Sequence, residues 1–79
     1  MDNVEQRVFR VVSQVFGVPL GEVNGTSSRE TVRGWDSLNA VNLMMAVEDE
    51  FGITVSVDEA ALLVSVPEIV RLVRSRDVT

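Results

Sequence analysis

From Val4 the apolar residues fall at Val4, Val8, Val11, Val12, Val15 and Phe16, the stripe of an amphipathic helix. The spacing predicts a helix over residues 3–16, opened by Asp2 three positions before Glu5 in the manner of a capping box and closed by Gly17 and Pro19. Seventeen of the 79 residues are valine, which favours strands, but no period-two alternation occurs here, so the helical period prevails. Residues 17–36 read as a long connection broken by Gly17, Pro19, Gly21, Gly25 and Gly34, with Val18, Leu20, Val23 and Val32 expected to pin it to a core. Connections of that length in a compact domain are often functional. A second helix is predicted over 37–51, starting at Asp36 or Ser37 and ending at Gly52, with Leu38, Leu43, Val47 and Phe51 on one face. Val41, Met44 and Met45 do not all fit that face, so apolar surface is left over. Residues 53–57 alternate weakly, but with no second strand to pair with they read as extended loop. Asp58 and Glu59 suit the positive end of a short third helix over 58–63. The run Ala60-Ala61-Leu62-Leu63-Val64 cannot bury every face, so Ala61 or Leu62 is expected at the surface. Ser65-Val66-Pro67-Glu68 combines a capping box with proline in the first turn and opens a last helix over 66–75, whose stripe is Val66, Ile69, Val70 and Val73. The expected fold is all-α, a four-helix bundle with a long first loop and a short third helix.

A chain of 79 residues makes one domain at most, here spanning 1–79, with room for one core but not for an enclosed active-site cavity of ordinary enzyme size. Seven basic and twelve acidic residues give a net charge of −5. That balance argues against nucleic acid and anionic membranes and for a partner protein with a basic face. All seven cations are arginine, and the chain has no lysine, histidine, cysteine or tyrosine. Without thiols there is no disulfide, zinc-thiolate site or cysteine nucleophile. Without histidine the usual general base and commonest metal ligand are missing, and without lysine there is no Schiff base. The chain's own side chains can hardly drive chemistry, so it is not expected to be an enzyme, nor to hold a metal: no acidic cluster has the spacing of a calcium loop. Asp2 and Glu5 stand where a signal peptide needs positive charge, and no apolar run approaches bilayer length; a soluble cytoplasmic protein is expected.

One constellation stands out where the long loop meets the second helix: Gly34-Trp35-Asp36-Ser37-Leu38. A serine there sets its hydroxyl beside unpaired backbone N–H groups and the positive end of a helix dipole, a favourable place for a phosphate. Asp36 or Ser37 acting merely as an N-cap is the plain alternative.

That segment, followed by Met45-Ala46-Val47-Glu48-Asp49-Glu50-Phe51-Gly52-Ile53, resembles the acyl carrier protein family. The likeness extends to Arg7-Val8, Gly17-Val18 and Ser65-Val66 and covers nearly the whole chain. It implies a 4′-phosphopantetheine arm on Ser37, delivered from coenzyme A by a separate, magnesium-using phosphopantetheinyl transferase, whose thiol carries acyl groups as thioesters. An imported sulfur agrees with a chain that owns none. By the same likeness Asp36 helps the transferase engage Ser37, and Leu38 is both a core-facing anchor and part of the transferase footprint. The family's partner surface is the second helix with help from the third. Val41 and Met45 are candidates for apolar contacts with acyl-loading, condensing and acyl-transfer enzymes. Glu48, Asp49, Asp58 and Glu59 are the acidic candidates, steering encounter with basic patches. A monomer suits such a shuttle.

The chain also departs from the pattern of fatty-acid carriers. Asn39 and Asn42 stand where those usually have acidic residues, Arg29 and Arg33 where many have a bulky apolar pair, and Trp35 where a smaller apolar residue is usual. The Trp-Asp-Ser-Leu version looks like free-standing carriers of polyketide or other specialised pathways, and the Met1 start with no flanking linker favours a free-standing chain. Two other readings stand beside this one: a carrier of an aminoacyl unit such as D-alanine, and an unmodified helical interaction module. A hydrolase using Ser37 and Asp36 is disfavoured, since no histidine completes the arrangement.

Overall fold

A computed structural model describes residues 4–36 and 38–76. Four α-helices are present: α1 (Val4–Phe16), α2 (Ala40–Phe51), α3 (Val57–Ala60) and α4 (Val66–Ser75), with a 3-10 turn at Leu20–Glu22 in the long loop. Among the described residues there is no strand, only an isolated bridge between Ser28 and Ser65. Helix α1 packs against both α2 and α4, and α3 packs against α2. Val8, Val12, Leu43, Val47, Val66, Ile69 and Val73 have almost no exposed surface and form the centre of the core. Valine in a helix costs under about 0.7 kcal/mol of propensity, whereas burying its side chain contributes roughly 1.5–3 kcal/mol. The stripe therefore decides, and the valine-rich segments are helical.

The helices are tied at their ends. Gly52 closes α2 at φ 65°, a left-handed conformation that glycine adopts without strain, and donates its N–H to the Glu48 carbonyl at 2.8 Å. Arg7 reaches across from α1 to the same end. Its Nε meets Glu50 Oε2 at 2.8 Å, its Nη2 donates to the Glu50 carbonyl at 2.6 Å, and its guanidinium lies 4.5 Å from the Phe51 ring centroid. This places a cation at the negative end of the α2 dipole. At α4, Ser65 Oγ accepts from the Glu68 N–H at 3.4 Å, with Pro67 in the first turn. The Glu68 carboxylate meets Arg71 at 2.8 Å.

Several expectations need correction. Helix α2 begins at Ala40, three residues later than its apolar spacing suggests, because Leu38 and Asn39 lie in a turn first. The Asn39 N–H meets both the carbonyl and Oδ1 of Asp36 at 3.1 Å, and the Asn39 carbonyl then accepts the first helical bond from Leu43 N–H at 3.0 Å. Leu38, outside the helical register, is 86% exposed instead of facing the core. Leu20 lies in the 3-10 turn and is half exposed, so only Val23 and Val32 bury fully to pin the loop, with Val18 half-buried. Helix α3 is one turn long, and tighter turns then carry the chain through Leu63: Leu62 N–H bonds to the Glu59 carbonyl and Leu63 N–H to the Ala60 carbonyl. The chain must leave the helix there because Arg29 N–H takes the Val64 carbonyl at 3.0 Å and Val66 N–H the Ser27 carbonyl at 2.8 Å. Asp2, proposed as a cap for α1, lies outside the described residues.

Helix α3 carries a full capping box that the sequence reading passed over. Ser56 Oγ accepts from Glu59 N–H at 3.1 Å, and Glu59 Oε1 accepts from Ser56 N–H at 3.0 Å. Glu59 Oε2 also accepts from Arg76. The Arg76 guanidinium, and then the Ser56 N–H, hold the Glu59 carboxyl below its ordinary value of 4.5. Since the folded state has the lower pKa, its contribution is complete above the unfolded value and is lost as pH falls through the folded one. Acidification through that window is expected to lower the urea midpoint of the wild type more than that of Glu59→Gln. Equal falls in the two proteins would remove this carboxylate from the acid sensitivity.

Candidate functional site

The loop reaches α2 through Trp35, whose side chain is turned inward and only 5% exposed. Its indole stacks on Phe16 of α1, with ring centroids 5.0 Å apart and planes 19° from parallel. The indole Nε1–H donates to the Leu63 carbonyl at 3.1 Å, so one side chain links α1, the loop and the segment after α3. Gly34 precedes it at φ 90° and offers its carbonyl to Asn39 Nδ2 at 2.7 Å and to Asp36 N–H at 3.0 Å. With Trp35 anchored inside and Asn39 holding the turn from the other end, Asp36 and Leu38 are both left exposed. Ser37, between them in the chain, lies outside the described residues.

Beside this turn an apolar groove of about 300 Å³ opens between the loop, α2 and the segment from Val57 to Val64. Trp35, Val41, Met44, Ala60 and Leu63 line it, with Asp36 and Arg29 as its charged members. A second, more open concavity of about 450 Å³ is formed by residues 29–36.

The candidate partner residues separate on inspection. Val41 and Met45, one turn apart on α2, are each 55% exposed, while Met44 packs against the core. Asp49 and Asp58 are exposed. Glu48 and Glu59 are already engaged: Glu48 Oε2 accepts from Val55 N–H at 2.8 Å, and Glu59 serves the cap of α3 and Arg76. Asp36 and Val41 line the same groove; Leu38, Met45 and Asp58 do not. Val57, which the sequence reading passed over, is among the most exposed large apolar residues and lines the groove opposite Val41; Leu62 is exposed as well. Position N1 behind the Ser56 cap is the signal that places Val57 on the outer side of so short a helix.

The chain matches the family model of the phosphopantetheine attachment site over residues 6–73, most of its length. It belongs to that family. The carrier domains of this family hold the 4′-phosphopantetheine prosthetic group, which when bound supplies the thiol that the 79-residue chain lacks. The residues here fit such a group. The turn flanking Ser37 is exposed, and an apolar groove adjoins it. The described serines outside the turn are each committed to a hydrogen bond within the fold. Trp35 from within and Asn39 from the start of α2 hold the chain on either side of Ser37, where Asp36 and Leu38 are exposed. No helix among the described residues is long and apolar enough to cross a membrane.

Proposed function

We propose that this carrier bears its phosphopantetheine arm on Ser37 and hands acyl thioesters between enzymes of a polyketide or related specialised pathway in the cytoplasm. The observation that supports the reading is that Asp36 and Leu38, the neighbours of Ser37 in the chain, are exposed, and that Asp36 lines an apolar groove. Asp36 and Leu38 flank the attachment point and are the contacts offered to a phosphopantetheinyl transferase. Val41 and Met45 form the apolar part of the docking face for acyl-loading, condensing and acyl-transfer enzymes, with Asp49 and Asp58 as its unengaged carboxylates. Glu48 and Glu59 contribute less, being occupied by Val55 N–H and by Arg76. With no cysteine, histidine or lysine, the chain acts in this reading as cargo-bearer, its Ser37 hydroxyl accepting the arm in a reaction that the transferase catalyses.

The experiment is intact-protein mass before and after incubation with coenzyme A, magnesium and a broad-specificity phosphopantetheinyl transferase. One added phosphopantetheine is the expected result; no addition to well-folded protein would replace the carrier reading with an unmodified interaction module.

Asn39 and Asn42 support a pathway apart from fatty-acid synthesis, because they withhold two carboxylates from the start of α2. Asn39 also has a reason to remain an amide: its Nδ2 donates to the Gly34 carbonyl, a bond an aspartate cannot make. A malonyl transferase from fatty-acid synthesis is expected to load the holo-protein much more slowly than its own carrier, chiefly through a higher KM. Equal efficiency would overturn the separation of pathways.

A further inference from the structure

We propose that Arg29 and Arg33 form a seat for the phosphodiester of the arm, fixing its first segment on the loop side of the attachment turn. The inference rests on Ser37 as the attachment point. Arg29 and Arg33 line one concavity together with Asp36, the residue preceding Ser37. Four charged groups face that space, and their engagements are asymmetric. The Glu30 carboxylate accepts from Ser28 Oγ at 2.9 Å, and Asp36 Oδ1 accepts from Asn39 N–H at 3.1 Å. Neither Arg29 nor Arg33 has a side-chain hydrogen bond or ion pair among the described residues, whereas Arg7, Arg71 and Arg76 each meet a glutamate. The two unengaged guanidiniums therefore set the available donors of the concavity, and a phosphodiester monoanion is the chemistry that planar, multi-donor groups take best.

The backbone beneath them is held in place. Arg29 N–H is bonded to the Val64 carbonyl, and Val32 N–H to the Ser28 carbonyl at 2.8 Å. Arg29 belongs to both spaces, lining the apolar groove as well as the polar concavity. No acidic residue stands in the first turn of α2 to repel such an anion. In a chain of net charge −5, Arg29 and Arg33 are two cations lining one concavity.

The test converts apo-protein to holo-protein with coenzyme A and follows the phosphorus-31 resonance of the arm in wild type, Arg29→Gln, Arg33→Gln, the double variant and the double lysine variant. Mass spectrometry first establishes one addition in each; its absence from the wild type would fault the Ser37 reading, and the resonance speaks only to the arginines. The expected result is a wild-type phosphorus shift that moves with added salt, since screening weakens the contact. The double glutamine variant should lose that salt response, its line should narrow toward that of an unrestrained phosphodiester, and the lysine variant should recover part of both. Arginine Nε–H signals of residues 29 and 33 should shift on conversion from apo to holo. A phosphorus shift and line width indifferent to salt and to all the substitutions, in folded and fully loaded proteins, would overturn the proposal.

Discussion

Ser37→Ala is expected to abolish phosphopantetheine addition completely, with no transfer of the modification to another of the described serines. The chain has seven serines, and the six described ones are each committed within the fold. Ser13 Oγ donates to the Val18 carbonyl, Ser28 Oγ to Glu30 and Ser75 Oγ to the Leu72 carbonyl. Ser27 is buried and accepts from Asn24 N–H, while Ser56 and Ser65 cap α3 and α4. None of these can take up a phosphodiester without giving up a bond that shapes a turn or a helix start. The same variant should remain folded. The N-cap position of α2 is Asn39, so Ser37→Ala is expected to cost less than a lost N-cap, which costs about 0.5–2 kcal/mol. Intact mass and a urea melt on one sample therefore separate the two leading readings. A carrier gives no added mass and an almost unchanged midpoint. An interaction module takes no mass in either protein, and mass gained by the alanine variant would place the attachment elsewhere.

Local pattern and tertiary choice contributed differently to what could be read in advance. The stripes of α1 and α4 and the stop at Gly52 are written in spacing and cap chemistry, which act over a few residues. The start of α2 was not, because Asp36, Ser37 and Asn39 are all competent caps. The choice among them depends on an Asn39 amide that reaches back to the Gly34 carbonyl. The exposure of Leu38 follows from that choice, so it was hidden with it. Leu20 looked like a core anchor by hydrophobicity alone, yet the 3-10 turn aims it outward. The engagements of the acidic residues were hidden for a related reason. Carboxylates look alike in sequence, and only the fold reveals that Glu48 is occupied by the Val55 N–H, seven residues on, and Glu59 by Arg76, seventeen residues on. The family was legible through the residue types around Asp36-Ser37-Leu38 and the resemblance they carry; the groove beside Asp36 required α2 and the Val57–Val64 segment to be brought together in space.

The largest loss of stability is expected from Trp35→Ala, about 3–5 kcal/mol, the range for truncating a buried large aromatic side chain. For a domain of this length total stability is on the order of 4–12 kcal/mol, so the variant should sit near the edge of folding. The magnitude follows from three losses at one position. The indole is buried in the core, its stack on Phe16 ties α1 to the loop, and its Nε1–H satisfies the Leu63 carbonyl. Trp35→Phe divides these: it keeps an aromatic face for Phe16 but removes the donor, and should cost roughly 0.5–1.5 kcal/mol for the lost hydrogen bond, together with a smaller packing loss. A double-mutant cycle with Phe16→Ala should return a coupling of about 0.5–1.5 kcal/mol from the stacked pair. Urea denaturation followed by far-ultraviolet circular dichroism measures all of these, since Trp35 is the only tryptophan and cannot report on its own removal. Function should follow stability only in part. Where Trp35→Phe remains folded, transferase KM should rise more than kcat falls, because the indole holds the turn outward and touches no reacting atom. A cost below about 1 kcal/mol for Trp35→Ala would mean that the loop is held by Val23, Val32 and the Ser28–Ser65 bridge without the indole.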